Sequence, residues 1–307
     1  MNEKLSTTVS VTSTYAGEFA GKYIQAALMA APTLANGLIT IKPNIKYKEV
    51  VKTLVTSDLI QAQNCDFTPT GTVTLAERIL EPKQLKVDLK LCKANFRSDW
   101  EAISMGFSAW DTIPKNFGDF LIANISESVA AATEHDIWQY GSITGFTVLF
   151  KADSTVVDVT KVTGLTAATI QAEIAKVVTA IAALNNSSKH VIYMAKDLAM
   201  QYLISLGGFA SNVGANGYKG EGPQGLGQIS QLAFAGVPIH IVDGMPSGEM
   251  VAADPANLWF GTGLMNDYNT VKVIDQENID GSDNVNYVMK YTAGVQYGIG
   301  SEIVYYN

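Results

Sequence analysis

The clearest hydrophobic pattern in this chain lies at 116–141, where Phe117, Leu121, Ile125, Val129 and Ala132 recur at intervals near one helical turn. That period predicts one long helix, with Asn116 and Asp119 at a capped start and Gly141 just past its last turn. A second helix is expected over 166–185, capped by Thr166 and striped by Ile170, Ile174, Val177, Ile181 and Leu184. A third is expected over 195–206. Near the start, 1–13 reads as a Ser/Thr-rich mobile arm and 14–31 as an amphipathic helix ended by Pro32 and Gly37.

Period-two alternation marks the strands. Leu85, Val87, Leu89 and Leu91 alternate with Lys86, Asp88, Lys90 and Cys92, which predicts a strand with one buried and one wet face. Paired with 41–55 it would make a long two-stranded arm, and such a ribbon needs a surface to lie on because it has no third layer of its own. Residues 141–159 read as β-prone with turns, while 189–194, 237–242 and 258–261 read as short buried strands. The last fifty residues are β, with strands at 270–275, 285–297 and 302–306 and a turn around Asp280 and Gly281. Between the third helix and 237, residues 207–227 hold eight glycines in 21 residues, which predicts a long mobile loop. Helices and strands mix without a βαβ rhythm or an internal repeat, so the expected class is α+β.

Composition narrows the possibilities. The chain of 307 residues is 47% hydrophobic and 16% charged, long enough for a substantial core in one or two domains. Mean hydropathy is +0.12, spread along the chain, and no window offers an uninterrupted membrane span of roughly 18–20 apolar residues. The polar start lacks the pattern of a secretion signal, so synthesis in the cytoplasm is expected. With 21 basic and 29 acidic residues the net charge is −8, which argues against tight wrapping of nucleic acid but not against enclosing it. Lysines nevertheless gather at Lys42, Lys46, Lys48, Lys52, Lys83, Lys86, Lys90 and Lys93. They form either a solvated strand face or a surface that docks on an acidic neighbour.

No motif asks for catalysis. Gly220-Glu-Gly-Pro-Gln-Gly225 is a literal GxGxxG, yet it sits in a glycine-rich loop with Pro223 inside it, not between a strand and a helix. His135, His190 and His240 are far apart in sequence, and Cys65 and Cys92 lack metal-ligand or catalytic spacing, so both read as free thiols. Glu134 and Asp136 point in different directions from one helix and are expected on a solvated or intersubunit face. The 275–283 stretch lacks the first and last carboxylates of a calcium loop and reads as a hairpin turn. No catalytic residue, cofactor-binding residue or metal ligand is assigned, and a non-enzymatic role is expected.

Two stretches carry a resemblance: HVIYMAKDLAMQYLISL from His190, and LAFAGVPIHIVDGMPSGEMVAADPANLWFGT from Leu232. A strand, a helix, a variable loop, a strand opened by Gly236, Val237 and Pro238, a turn with Met245, Pro246 and Gly248, and a short apolar strand follow in order. This succession resembles the major capsid proteins of tailed double-stranded DNA phages. The resemblance implies the Johnson fold. That fold has an N-terminal arm (1–37), an extended β-hairpin loop (38–95), a peripheral domain with a long spine helix and β-ribbon (96–150 and 266–298), and an axial domain (151–265 and 299–307). It further implies a shell subunit that forms pentamers and hexamers, lies in the virion capsid, assembles in the host cytoplasm and encloses DNA without reading its sequence, with no membrane partner. Scaffolding, portal and minor capsid or decoration proteins would be its partners. The chain lacks the long charged helical extension some members carry, which implies a separate scaffolding protein or processing already complete. An encapsulin-like nanocompartment shell is the alternative within the same fold, and an enzyme with a glycine-rich mobile loop is a more remote one.

Overall fold

The computed structural model describes residues 13–16, 31–57, 60–63, 65, 71–92, 117–184, 187–206, 232–263 and 270–307. In chain order these form β1 (Ser13–Ala16), α1 (Pro32–Ala35), β2 (Thr40–Lys42), β3 (Glu49–Ser57), β4 (Thr72–Leu80), β5 (Lys83–Cys92), α2 (Phe117–Trp138) and α3 (Phe146–Ala152). Then follow β6 (Val157–Val159), α4 (Ile170–Ala182), β7 (Val191–Ala195), α5 (Lys196–Ser205), β8 (Ala233–Phe234), β9 (Val237–Val242) and β10 (Met250–Ala253). The chain ends with β11 (Leu258–Thr262), β12 (Thr270–Asp275), α6 (Glu277–Asp280), β13 (Asn284–Tyr297) and β14 (Val304–Tyr306).

The first sheet runs β1-β12-β13-β11-β2, with β5 also paired to β13. Alternation along β13 buries Val285, Tyr287, Met289 and Tyr291. Register sets Leu91, Leu89, Val87 and Leu85 of β5 opposite those four residues, and Val273 and Val271 of β12 opposite Tyr287 and Met289. Three strands thus present one continuous apolar face. On it packs α2, whose Ile125, Val129, Ile137 and Trp138 share a core with these strands and with Leu85, Val87 and Leu91, while Leu89 of β5 stays 40% exposed; the Thr133 hydroxyl of α2 donates back to the Val129 carbonyl at 2.8 Å.

The second sheet, β6-β14-β10-β7-β9-β8, is buried on both faces. Successive residues of a strand point oppositely, so Val191, Tyr193 and Ala195 join the core beneath α2, while Ile192 and Met194 join a second core under α4 and α5. Val251 against Met250 and Ala252, and Tyr305 against Val304 and Tyr306, divide in the same way. Unbroken apolar runs such as Val-Ile-Tyr-Met-Ala are what a strand buried on both sides requires.

Several expectations are corrected. Leu85–Leu91 does not pair with 41–55: β3 pairs with β4, as a separate two-stranded ribbon, and β5 leaves it to pair with β13. The switch falls at Pro82, which packs so tightly on Gly294 that a Cβ there would lie 2.9 Å from the proline Cα. Pairing with β13 brings the apolar side of β5 into the sheet core, which a free ribbon does not offer. Residues 14–16 are strand, paired with β12, the rest of the expected helix, 17–30, lies outside the described residues, and Pro32 opens a helical turn, its fixed φ suiting the first helical position. The β-prone stretch after Gly141 contains α3, where Phe146 and Phe150, one turn apart, are both buried, so tertiary packing overrides the β propensity of its Phe, Thr and Val residues. On α2 the buried column runs through Ile125, Val129, Thr133 and Ile137 with Ala130, Glu134 and Trp138 beside it, and Ala132 is exposed. Asn116, the side chains of 117–124, and the glycine-rich 207–227 lie outside the described residues. The turn at Asp280 and Gly281 does close a hairpin: α6 joins β12 to β13, and Gly281 takes φ of +70° at its end.

Candidate assembly surfaces

The β3–β4 ribbon is nine residues long on each strand, about 30 Å at the usual rise. Antiparallel register pairs Val50 with Ile79, Lys52 with Glu77, Leu54 with Leu75 and Thr56 with Val73 on one face. Val50, Leu54, Val73, Leu75 and Ile79 are each at least half exposed, with Leu54 at 60% and Leu75 at 59%. Five large apolar side chains on one face of a two-stranded ribbon form the most conspicuous uncovered apolar surface among the described residues.

The opposite face holds the ribbon to the body. Leu80 is fully buried with Ile45 and Trp259, and Lys42 sits 4.8 Å over the Trp259 ring while bonding Glu49 at 2.6 Å. Two residues along β4, Arg78 pairs with the Asp153 carboxylate and stacks 4.6 Å from the centre of the Tyr297 ring. Asp153 also accepts from the Tyr297 hydroxyl at 2.6 Å and from the Thr155 amide and hydroxyl at 2.9 and 2.8 Å. Burial works to raise the Asp153 pKa, but the hydrogen bonds from Tyr297, Thr155 and Arg78 outweigh it and hold the carboxyl well below the usual range. Sequence reasoning missed this cluster. The available signal was Arg78 itself, a guanidinium in a chain that otherwise favours lysine for its cations.

Four of the eight lysines in the cluster pair with carboxylates of the chain itself. Lys42 pairs with Glu49, Lys48 with Glu81 at 2.9 Å, Lys52 with Glu77 at 3.3 Å and Lys86 with Asp88 at 2.5 Å. Lys93 lies outside the described residues.

Glu134, expected on a solvated or intersubunit face, is buried. Its carboxylate accepts from the Thr33 amide at 2.9 Å and the Thr33 hydroxyl at 2.5 Å, and the Trp138 indole donates to that same hydroxyl at 3.0 Å. Sequence pattern could not show this, because the partner lies 101 residues away. The network fastens α1 to the spine helix beside a groove of about 550 Å³ lined by Pro32, Ala130, Ala131, Glu127 and Asp243. Burial raises the Glu134 pKa above its ordinary 4.5, and nearby Asp243 adds to the shift, against the Thr33 hydrogen bonds. The folded state therefore holds this proton to higher pH than the unfolded chain does. Its contribution to stability is fully present below the ordinary carboxyl value and is lost as pH rises through the raised one. A calorimetric pH series should show that loss in the wild-type chain and not in Glu134→Gln. Parallel curves would remove Glu134 as its source.

The remaining candidates lie in separate surroundings. His135 is 3.3 Å from Asp136, which accepts from the Ser142 amide. His190 is buried with its Nε2 at 2.8 Å from the Glu302 carbonyl. Burial lowers the His240 pKa, and its ring centre is 6.4 Å from that of Tyr193. Cys65 is exposed and Cys92 half-buried. Among the described residues no three His, Cys, Asp or Glu side chains are grouped as metal ligands, and no helix is long and apolar enough to cross a membrane. The GxGxxG at 220–225 lies outside the described residues.

The residues that carried the resemblance are backbone devices. Gly236 takes φ of +83° in the β8–β9 turn, Gly248 takes +75°, and its amide donates to Asp197 at 2.9 Å, while Met245 is buried. No family model and no curated protein matches the sequence. Solved structures do match. A chain of the satellite phage P4 procapsid, a structure that includes the size determination protein, is 12% identical with a TM-score of 0.62, over 93% of this chain and 89% of that one. A capsid chain of a native GTA particle is 12% identical with a TM-score of 0.54, over 92% and 89%. A virus-like particle from Pyrococcus furiosus gives 9% and 0.53, over 95% and 99%. An α+β chain with a two-stranded ribbon beside two sheets and a long helix across one of them, matched over about nine-tenths of its length by these capsid and procapsid chains, has the Johnson fold of phage capsid proteins.

Proposed function

We propose that this chain is the major shell subunit of a tailed-phage head, assembling through pentamers and hexamers around packaged double-stranded DNA. The observation that carries the reading is the ribbon: a strand pair with an uncovered apolar face is a poor solution for a monomer and a good one for a subunit whose neighbour supplies the missing layer. In this reading the arm is 1–37, the peripheral domain 96–150 with 266–298, and the axial domain 151–265 with 299–307. The extended loop assigned to 38–95 reduces to the β3–β4 ribbon and its root, because β5 pairs with β13, and β11, inside 151–265, pairs with β13 too, so in this reading both strands go with the peripheral domain. The subunit acts in the virion capsid after assembly in the host cytoplasm, with scaffolding, portal and decoration proteins as partners and no enzymatic role. Its acidic charge suits a container that encloses DNA without wrapping it.

A nanocompartment shell is the second reading, favoured by the match to the virus-like particle. Electron microscopy of the expressed chain, with and without a co-expressed scaffold, tests assembly: closed particles are expected, and a monodisperse monomer under every condition would refute a shell role. Portal and terminase genes beside its own support the phage head, and a cargo-enzyme gene supports the compartment.

A further inference from the structure

We infer that the Arg78–Asp153 pair is the joint that sets the angle at which the β3–β4 ribbon leaves the body. Leu80, buried with Ile45 and Trp259 and backed by Val51, is an apolar pin, and the Lys42–Glu49 pair sits at the same end, Glu49 being the cross-strand partner of Leu80; apolar contact is non-directional, so these hold the ribbon's root while leaving its tilt to a contact further out. Arg78 lies on the same ribbon face two residues further out, about 7 Å along the strand. A second attachment at that distance turns a pivot into a fixed lever.

The chemistry of the second pin is directional. The guanidinium is held from the side by the Asp153 carboxylate and from its face by the Tyr297 ring, and Tyr297 in turn donates to Asp153. Asp153 is itself locked, because Thr155 donates to its other oxygen twice and the backbone behind it is tight: a Cβ on Gly300 would lie 2.2 Å from the Thr155 hydroxyl. The neutral bond from the Gln296 amide to the Ile79 carbonyl, at 3.1 Å, is an exposed supplement. Further out, the ion pair Lys52–Glu77 joins ribbon strand to ribbon strand and cannot steer the pair against the body. The inference rests on the shell reading only for its consequence, that a subunit with a loosened ribbon presents its neighbour-binding stripe at a spread of angles and closes into particles of mixed size.

The test uses the unassembled full chain, so it does not depend on whether shells form. Spin labels on Thr56→Cys, exposed near the outer end of β3, and on Ser188→Cys, exposed on the body, report the ribbon's direction in a Cys65→Ser, Cys92→Ser background. A single narrow distance distribution is expected for the parent. Arg78→Gln and Asp153→Asn should each widen it at least twofold, whereas Lys52→Gln should leave it unchanged. Arg78→Gln keeps the Leu80 pin, so it provides a folded variant even where Asp153→Asn does not. Parent-like distributions for Arg78→Gln, or equal widening by Lys52→Gln, would overturn the joint. Failure of the parent to form particles would refute the shell role and leave this result standing.

Discussion

Ile125→Asp should leave no soluble, folded protein. Ile125 is 5% exposed on α2 and belongs to the core that joins the spine helix to the buried faces of both sheets. A carboxylate there must either stay charged without a partner or take up a proton, and either course costs on the order of 4 kcal/mol or more once the lost isoleucine packing is added. Domains of this kind are stable by only about 5–15 kcal/mol, so the loss consumes much of the margin and exposes two sheets at once. The measurement is the soluble fraction after expression, with circular dichroism on whatever remains. Ile125→Val, which removes one methylene, should cost only about 1 kcal/mol and give normal yield. A soluble, cooperatively melting Ile125→Asp would mean that the helix buries a different face.

That face was only partly legible in the sequence. Period and end signals marked the spine helix, the β9 and β12 segments and the long β13 strand, because each depends on residues close together in the chain. Alternation likewise marked the apolar side of 85–91, of which Leu85, Val87 and Leu91 pack on the core and Leu89 stays 40% exposed. It could not say which strand would pair with it, since the choice between a free ribbon and β13 depends on a change of strand partner at Pro82 and a glycine more than two hundred residues later. The same limit hid Glu134. A glutamate on a helix reads as solvated until a threonine amide and hydroxyl from α1 are found facing it. The Arg78 joint likewise draws on three separated segments. Turn motifs around Gly236 and Gly248 were the exception, because their order is a local record of a global fold: each marks where the backbone must take positive φ between strands of the second sheet.

The double change Leu54→Lys with Leu75→Glu should leave the subunit folded and strongly impair its assembly, the reverse of the outcome at Ile125. The two leucines face each other across β3 and β4, and about 60% of each is open to solvent. Replacing them with opposite charges keeps an attractive cross-strand pair, as Lys52 and Glu77 already provide one step away. Exposed substitutions of this sort change stability by about 0.5 kcal/mol or less, so the melting temperature should stay within a few degrees of the parent. On the shell function proposed above, the same positions are covered by a neighbour. Burying the open part of two leucines contributes roughly 2–3 kcal/mol per contact, and placing two charges against that surface adds a desolvation cost. At about 1.4 kcal/mol per factor of ten, the concentration needed for assembly should rise at least about 100-fold. Light scattering across a concentration series, beside a thermal melt of the same preparation, separates the two effects. Particles forming at the parental threshold would show that the stripe is not what the neighbour covers, while a collapsed melting temperature would show that the ribbon face belongs to the subunit's own core.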